Sequence, residues 1–392
     1  MSTQLRYLTS GESHGQGLLV ILEGIPSGLE LKKEYINRQL KRRQGGYGRG
    51  KRMRIEKDEA RILSGVRWGK TLGSPISLFV PNLDWKNWER IMAVEEPEDE
   101  DFASLPLFTR PRPGHADLVG GIKYNFQDLR NVLERASARE TVAKVAAGAV
   151  CKRLLDEFGI LVLSRVIQIG KAKDESSWKC FLDNPARIED SPVRCLDKEA
   201  EKNMIELIDE VRQKGDSLGG IFEVIVAGVP PGLGSYIQWD LKLDARLAFA
   251  LMSIQAIIGV EIGAGFEGAS FFGSQFQDEI AYNKKRGFYR LSNRCGGIEG
   301  GMTTGEPVVL RAAMKPISTL AKPLRSVDIV SKKEVKAARE RSDVCAVPAA
   351  SVIAEAACAI EIARAMREKF GGDSLEEMKR NYLSYMDYVK ER

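Results

Sequence analysis

Arg135-Ala136-Ser137-Ala138-Arg139-Glu140-Thr141-Val142-Ala143-Lys144-Val145-Ala146-Ala147-Gly148-Ala149-Val150 is the stretch on which the fold turns. Residues 138–157 read as a helix in which Ala143, Ala146, Ala147, Val150 and Leu154 form one stripe. Residues 243–257 and 348–369 repeat the same alanine-rich, helical composition. Side chains this small let a helix lie close against another helix or a sheet, so the three segments predict a tightly packed helical layer. At the start of the first, Ser137 followed three residues later by Glu140 has the pattern of a capping box. It would set a helix N-terminus, with its unpaired N–H groups, between Arg135 and Arg139, a candidate phosphate site. The stripe Leu129, Val132, Leu133, Ala136 also fits one continuous helix over 128–157, which would remove that cap.

Working outward, residues 18–25, 160–169, 221–227 and 307–314 read as strands, and 32–43 and about 198–214 as helices. Residues 171–218 are polar and predict a surface excursion that includes the second of these helices. The chain has 392 residues, a net charge of +5 and 43% hydrophobic residues, ordinary for a soluble globular protein. It shows no apolar run of membrane-span length and no leader-like apolar core at its N-terminus. Cysteines 151, 180, 195, 295, 345 and 358 form no CxxC pair, which predicts reduced cytoplasmic thiols and no metal site.

Charge is distributed unevenly. Tyr35–Ile55 contains no acid, and carries Arg38, Lys41, Arg42, Arg43, Arg49, Lys51, Arg52 and Arg54 among Gly45, Gly46, Gly48 and Gly50. Such a run fits nucleic acid, or a pocket for a small polyanion gripped by arginine forks. The acidic run over 95–101 reads as a solvated loop. The chain has two histidines, each in a glycine-flanked motif: Gly11-Glu12-Ser13-His14-Gly15 and Arg112-Pro113-Gly114-His115-Ala116-Asp117. Either alone could be a satisfied polar residue in a turn. Histidine is also the natural proton donor and acceptor near neutral pH. The segments Gly296-Gly297-Ile298-Glu299-Gly300-Gly301 and Lys315-Pro316-Ile317-Ser318-Thr319 read as turns or as a phosphate loop. Asp343, ahead of the third alanine-rich helix, reads as an arginine-orienting group or base if buried and as a cap if exposed. No Walker, GxGxxG, nucleophile-elbow or metal-ligand pattern is present, and the remaining chemistry is proton transfer on a multiply anionic small molecule.

Three stretches, Gly11–Gly15 through Pro26, Arg135–Thr141 through Gly148, and Arg341-Ser342-Asp343 through Ala350, together with Arg42–Gly50 and Arg112–Asp117, resemble the chorismate synthase family over nearly the whole chain. The resemblance implies an α+β fold: one domain over 1–392, a β-α-β sandwich with alanine-rich helices packed between antiparallel sheets. It implies a cytoplasmic homotetramer with neither nucleic acid nor membrane as partner. It further implies conversion of 5-enolpyruvylshikimate 3-phosphate to chorismate and phosphate by a trans-1,4 elimination that requires reduced FMN. NADPH is the reductant source in members that reduce their own flavin. By the same resemblance His14, His115 and Asp343 are catalytic: His14 near the leaving phosphate, His115 near the flavin, Asp343 assisting the flavin as base. Arg43, Arg49, Arg52, Arg139 and Arg341 match substrate- and flavin-pocket arginines. Arg135, Ala136, Ser137, Gln255, Ala256, Gly300, Lys315, Pro316, Ile317, Ser318, Thr319 and Arg341 match flavin-contacting positions. The family often has Ser at 136 and Asn at 255; here Ala136 leaves only its backbone to bind, and Gln255 carries its amide on a longer arm.

Overall fold

The computed structural model describes residues 5–50, 57–96, 107–340 and 343–392. Two antiparallel sheets enclose the helical layer. The first is built from β1 (Arg6–Ser10), β2 (Gly17–Glu23), β3 (Arg61–Ile62) and β4 (Ile76–Pro81), in the order β1-β2-β4-β3. The second has β5 (Leu161–Ile169), β6 (Ala172–Lys173), β7 (Gly220–Ala227), β8 (Ile257–Ile262) and β9 (Val308–Met314), in the order β8-β9-β7-β5-β6. Alternation explains how each sheet faces the core. In β2, Leu18, Val20 and Leu22 point inward, and in β4, Ile76, Leu78 and Val80 do the same.

Between the sheets lie α1 (Lys33–Gln44), α2 (Thr141–Asp156) and α3 (Val347–Phe370). α2 packs on β2 and β4 on one side and on α3 on the other; α3 in turn packs on β5 and β7. The single stripe expected for the first alanine-rich segment is too narrow a description. Every residue from Thr141 to Cys151 is buried, because the helix has a neighbour on each side. Gly148 marks a close approach to α3: a Cβ there would lie 2.4 Å from Ala356 Cβ. One continuous apolar cluster joins Leu5 at one end of the described chain to Met378 near the other.

The continuous helix over 128–157 does not form. Arg130–Ala136 is a separate helix, Ser137 is extended (φ −63°, ψ 141°), and a short 3-10 turn over Ala138–Glu140 leads into α2. Ser137 caps that turn by accepting from the Arg139 N–H. The reciprocal half of the capping box is missing, because the Glu140 carboxylate accepts from the Thr9 hydroxyl at 2.9 Å instead. The second alanine-rich helix stops at Met252, and residue 257 already belongs to β8. The polar excursion covers the outer face of the second sheet, with Phe181 and Ile188 packed on Ile225, and carries the expected helix over Lys198–Lys214.

Candidate active site

His14 sits in the loop after β1, where Gly11 has φ +100° and a Cβ would strike the Gly17 carbonyl oxygen at 2.3 Å. Only glycine turns the chain so sharply there. The loop is pinned to the buried Glu134. The Ser13 N–H donates to its carbonyl at 3.0 Å, and the His14 N–H to its Oε2 at 2.9 Å. The His14 ring follows, with Nδ1 2.9 Å from Oε1 and 2.8 Å from Oε2. Trp88 stacks on the imidazole at 3.8 Å and 23°. Arg130 lies over Trp88 and also donates to Glu134 Oε1 at 3.3 Å, balancing its charge.

His115 is held by a second carboxylate. Asp117 opens the helix Asp117–Tyr124 and is fully buried. It accepts from the Arg112 N–H at 3.0 Å, from Arg112 Nε at 2.8 Å and Nη2 at 3.0 Å, and lies 2.6 Å from His115 Nδ1. Burial alone would raise the Asp117 pKa; the hydrogen bonds from His115 and Arg112 outweigh it and hold the carboxyl well below the usual range. Arg112 Nη1 reaches Thr319 Oγ1 at 3.0 Å, and Lys315 Nζ reaches the Gly114 carbonyl at 2.7 Å, tying this loop to the segment after β9.

The basic run divides. Arg42 turns away to Glu355 and Glu189, a structural cluster completed by Lys152 and Arg194. Arg43 and Arg139 converge on the buried Asp58, at 3.3 Å and 3.1 Å. Arg43 also donates to Thr141 Oγ1 at 3.0 Å and to the Ala138 carbonyl at 3.1 Å. Arg49 pairs with Asp343 Oδ2 at 2.8 Å, while the Gly50 N–H donates to Asp343 Oδ1 at 2.6 Å. Asp343 therefore orients an arginine and a loop backbone rather than capping a helix.

These groups line one cavity of about 930 Å³. His14, His115, Asp343, Arg43, Arg49, Arg139, Ala136, Ser137, Gln255, Ala256, Lys315, Ile317, Ser318 and Thr319 all reach its wall, with Leu133, Ile254, Met314, Ala349, Ala350 and Ile353 as apolar floor. Three expected residues do not reach it. The Arg135 guanidinium is spent on the Gly11 and Thr9 carbonyls. Pro316 is passed over between its neighbours, and Gly300 (φ +58°) lies in the turn between strands Ile298–Glu299 and Met302–Thr303. Arg52 and Arg341 lie outside the described residues. Sequence reasoning missed Glu134, Asp58 and Trp88 as site residues, and left Asp117 and Arg112 without a role. Asp117, two residues beyond His115, and Glu134, beside Arg135, stood inside quoted or adjoining motifs and were findable; Asp58 and Trp88 carried no local signal.

Cations, two carboxylate-bound histidines and an apolar floor, set on a helical layer between antiparallel sheets, define an enzyme for small polyanions. The chorismate synthase family model matches residues 5–366. The chain is 58% identical to chorismate synthase of Aquifex aeolicus, over 98% of each chain. It is 57% identical to that of Brevibacillus brevis, over 98% of this chain and 100% of the other. A solved structure titled as the crystal structure of chorismate synthase superposes with a TM-score of 0.80 at 48% identity, covering 99% of both chains. The chain belongs to the chorismate synthase family: it is a lyase that forms chorismate from a phosphate-bearing substrate in the shikimate pathway.

Proposed function

We propose that this cavity holds 5-enolpyruvylshikimate 3-phosphate beside reduced FMN and expels phosphate by trans-1,4 elimination. The observation that carries the reading is two histidines facing one cationic cavity, each with Nδ1 against a buried carboxylate. The residues fit the flavin. A volume of about 930 Å³ sits at the top of the usual range for one small-molecule site, about 300–1,000 Å³, which suits two ligands side by side. Gln255 Oε1 is buried with no hydrogen-bond partner among the described residues, an acceptor awaiting a donor.

Ala136, Ser137, Gln255, Ala256, Lys315, Ile317, Ser318, Thr319 and His115 would hold the flavin, with Arg135, Pro316 and Gly300 supporting from outside the wall. The reduced flavin, when bound, supplies electron density that helps the phosphate leave. The protein's own groups do the rest. Arg43, Arg49 and Arg139, with Arg52 and Arg341 from the same motifs, neutralise substrate carboxylates and phosphate, which could not otherwise be buried. His14 donates to the departing phosphate, His115 would stabilise the negative charge of the reduced flavin, and Asp343, which sets Arg49, would assist the flavin as base. The protein acts as one domain over 1–392 within a cytoplasmic homotetramer. Exposed Phe249, Ile258, Phe266 and Phe272 support an assembly that would cover them, and no helix of the described residues is long and apolar enough to cross a membrane.

The test is an anaerobic assay with reduced FMN, following chorismate absorbance, on His14→Ala and His115→Ala. Each should lose about a hundredfold or more in turnover, the scale of general acid–base catalysis. Both variants should remain folded and melt cooperatively, and His115→Ala should also weaken reduced-flavin binding. Near-normal turnover in both variants would overturn the assignment.

A further inference from the structure

Both histidines meet a carboxylate through the same ring atom. His14 Nδ1 lies 2.8 Å and 2.9 Å from the two Glu134 oxygens, and His115 Nδ1 lies 2.6 Å from Asp117 Oδ1. An ionised carboxylate only accepts, so each Nδ1 must carry a hydrogen; a bare lone pair at that distance would be repelled. One neighbour argues otherwise: Arg112 Nη2 is 3.1 Å from His115 Nδ1, and a guanidinium only donates. Arg112 Nη2 already has Asp117 Oδ1 at 3.0 Å, and the Nδ1 contact to that same oxygen is the shorter, so the carboxylate decides. The surroundings restrain both contacts. Trp88 covers one face of His14, whose backbone N–H is fixed by the same Glu134. Asp117 is fully buried and is fixed by three bonds from Arg112.

We propose that Glu134 and Asp117 are positioning residues that hold the two neutral imidazoles as Nδ1–H tautomers, so that each histidine exchanges its proton with a ligand through Nε2 alone. This deepens the roles given to His14 and His115 in turnover, while the tautomers themselves do not depend on those roles. The ring nitrogen on the ligand side is then a lone pair in the neutral state and the N–H donor in the protonated one. The orienting carboxylate of a serine-hydrolase triad acts in the same sense, and its amide variant loses about 10⁴ in kcat through the wrong tautomer.

With two histidines in the chain, ¹⁵N-histidine labelling of the intact protein gives two ring spectra, assigned with His115→Ala. At a pH where both rings are neutral, each should show a protonated Nδ1 and an unprotonated Nε2. Glu134→Gln should move only the His14 pattern towards Nε2–H, and Asp117→Asn only that of His115. Glu134→Gln should also lower kcat about a hundredfold with KM changed less than about threefold, and Glu134→Asp, which keeps the charge, should recover more of the rate. An Nε2–H signal from either ring of the wild-type protein overturns the proposal, whether or not the variants fold. So does a loss of rate in Glu134→Gln with the wild-type tautomer retained, which marks a merely structural carboxylate. Expected tautomers combined with normal turnover in His14→Ala would instead refute the catalytic reading of His14 and leave the positioning intact.

Discussion

Replacing Gly148 by alanine tests the close crossing of α2 and α3. The added Cβ would lie 2.4 Å from Ala356 Cβ, 2.6 Å from Ala356 Cα and 2.8 Å from the Ala356 carbonyl oxygen. Two of these obstacles are backbone, so no side chain can swing aside and α2 must move away from α3. Two terms oppose each other. Alanine gains about 1 kcal/mol over glycine in a helix interior. Overpacking a filled core costs about 1–3 kcal/mol, and an immovable obstacle puts this site in the upper half of that range. The net expectation is about 1–2 kcal/mol of destabilisation. Equilibrium urea unfolding at fixed protein concentration, read by tryptophan fluorescence, would show it as a lower midpoint with an unchanged slope. Adding Ala356→Gly removes the 2.4 Å contact but leaves those at 2.6 Å and 2.8 Å, and brings its own helix penalty of about 1 kcal/mol. The double variant should therefore stay below wild type. A Gly148→Ala protein at or above wild-type stability would refute the argument that this contact sets the helix spacing.

Two further outcomes are expected. Burial would raise the Glu355 pKa, but Arg42, Lys152 and Arg194 outweigh it and hold the carboxyl below its ordinary range; its stabilisation is full above that range and lost as pH falls through and below it. Urea midpoints should accordingly drop from pH 6 to pH 3, and less steeply in Glu355→Gln, which at neutral pH leaves buried cations uncompensated at a cost of about 3–5 kcal/mol; a flat wild-type profile would contradict this. Arg49→Lys keeps the charge but loses the planar fork opposite Asp343, so kcat/KM should fall about 10- to 100-fold, the worth of one charged hydrogen bond, with the fold retained; unchanged kinetics would remove Arg49 from the site.

Much of this structure is written locally and some is not. The strands at 160–169, 221–227 and 307–314 and the helix near 198–214 carry the period of their own element, and each forms within a residue or two. The alanine-rich segments showed helix and close packing. What they could not show was that α2 is buried all round from Thr141 to Cys151, since that depends on the first sheet, built from β1–β4. The break at Ser137 was ambiguous because the apolar spacing continues through it; the structure settles it through the Arg139 N–H and the pull of Thr9 on Glu140. In the site, residues inside glycine-flanked motifs were legible. Asp58 was not, because its meaning comes from two arginines, one 15 residues before it in the chain and one 81 residues after it.

The wall of the cavity is drawn from residues between Ser13 and Ile353, with pieces of both sheets' connections and of all three central helices. No contiguous fragment contains it, so the binding surface and the native state are created by the same cooperative event. Any molecule that fits there has no counterpart to bind in the unfolded ensemble, and its binding raises the unfolding free energy in proportion to the logarithm of its concentration over its dissociation constant. At a hundred times its dissociation constant that amounts to about 2.7 kcal/mol. In a cell, the supply of such ligands would then set how long the chain survives proteolysis as well as how fast it turns over.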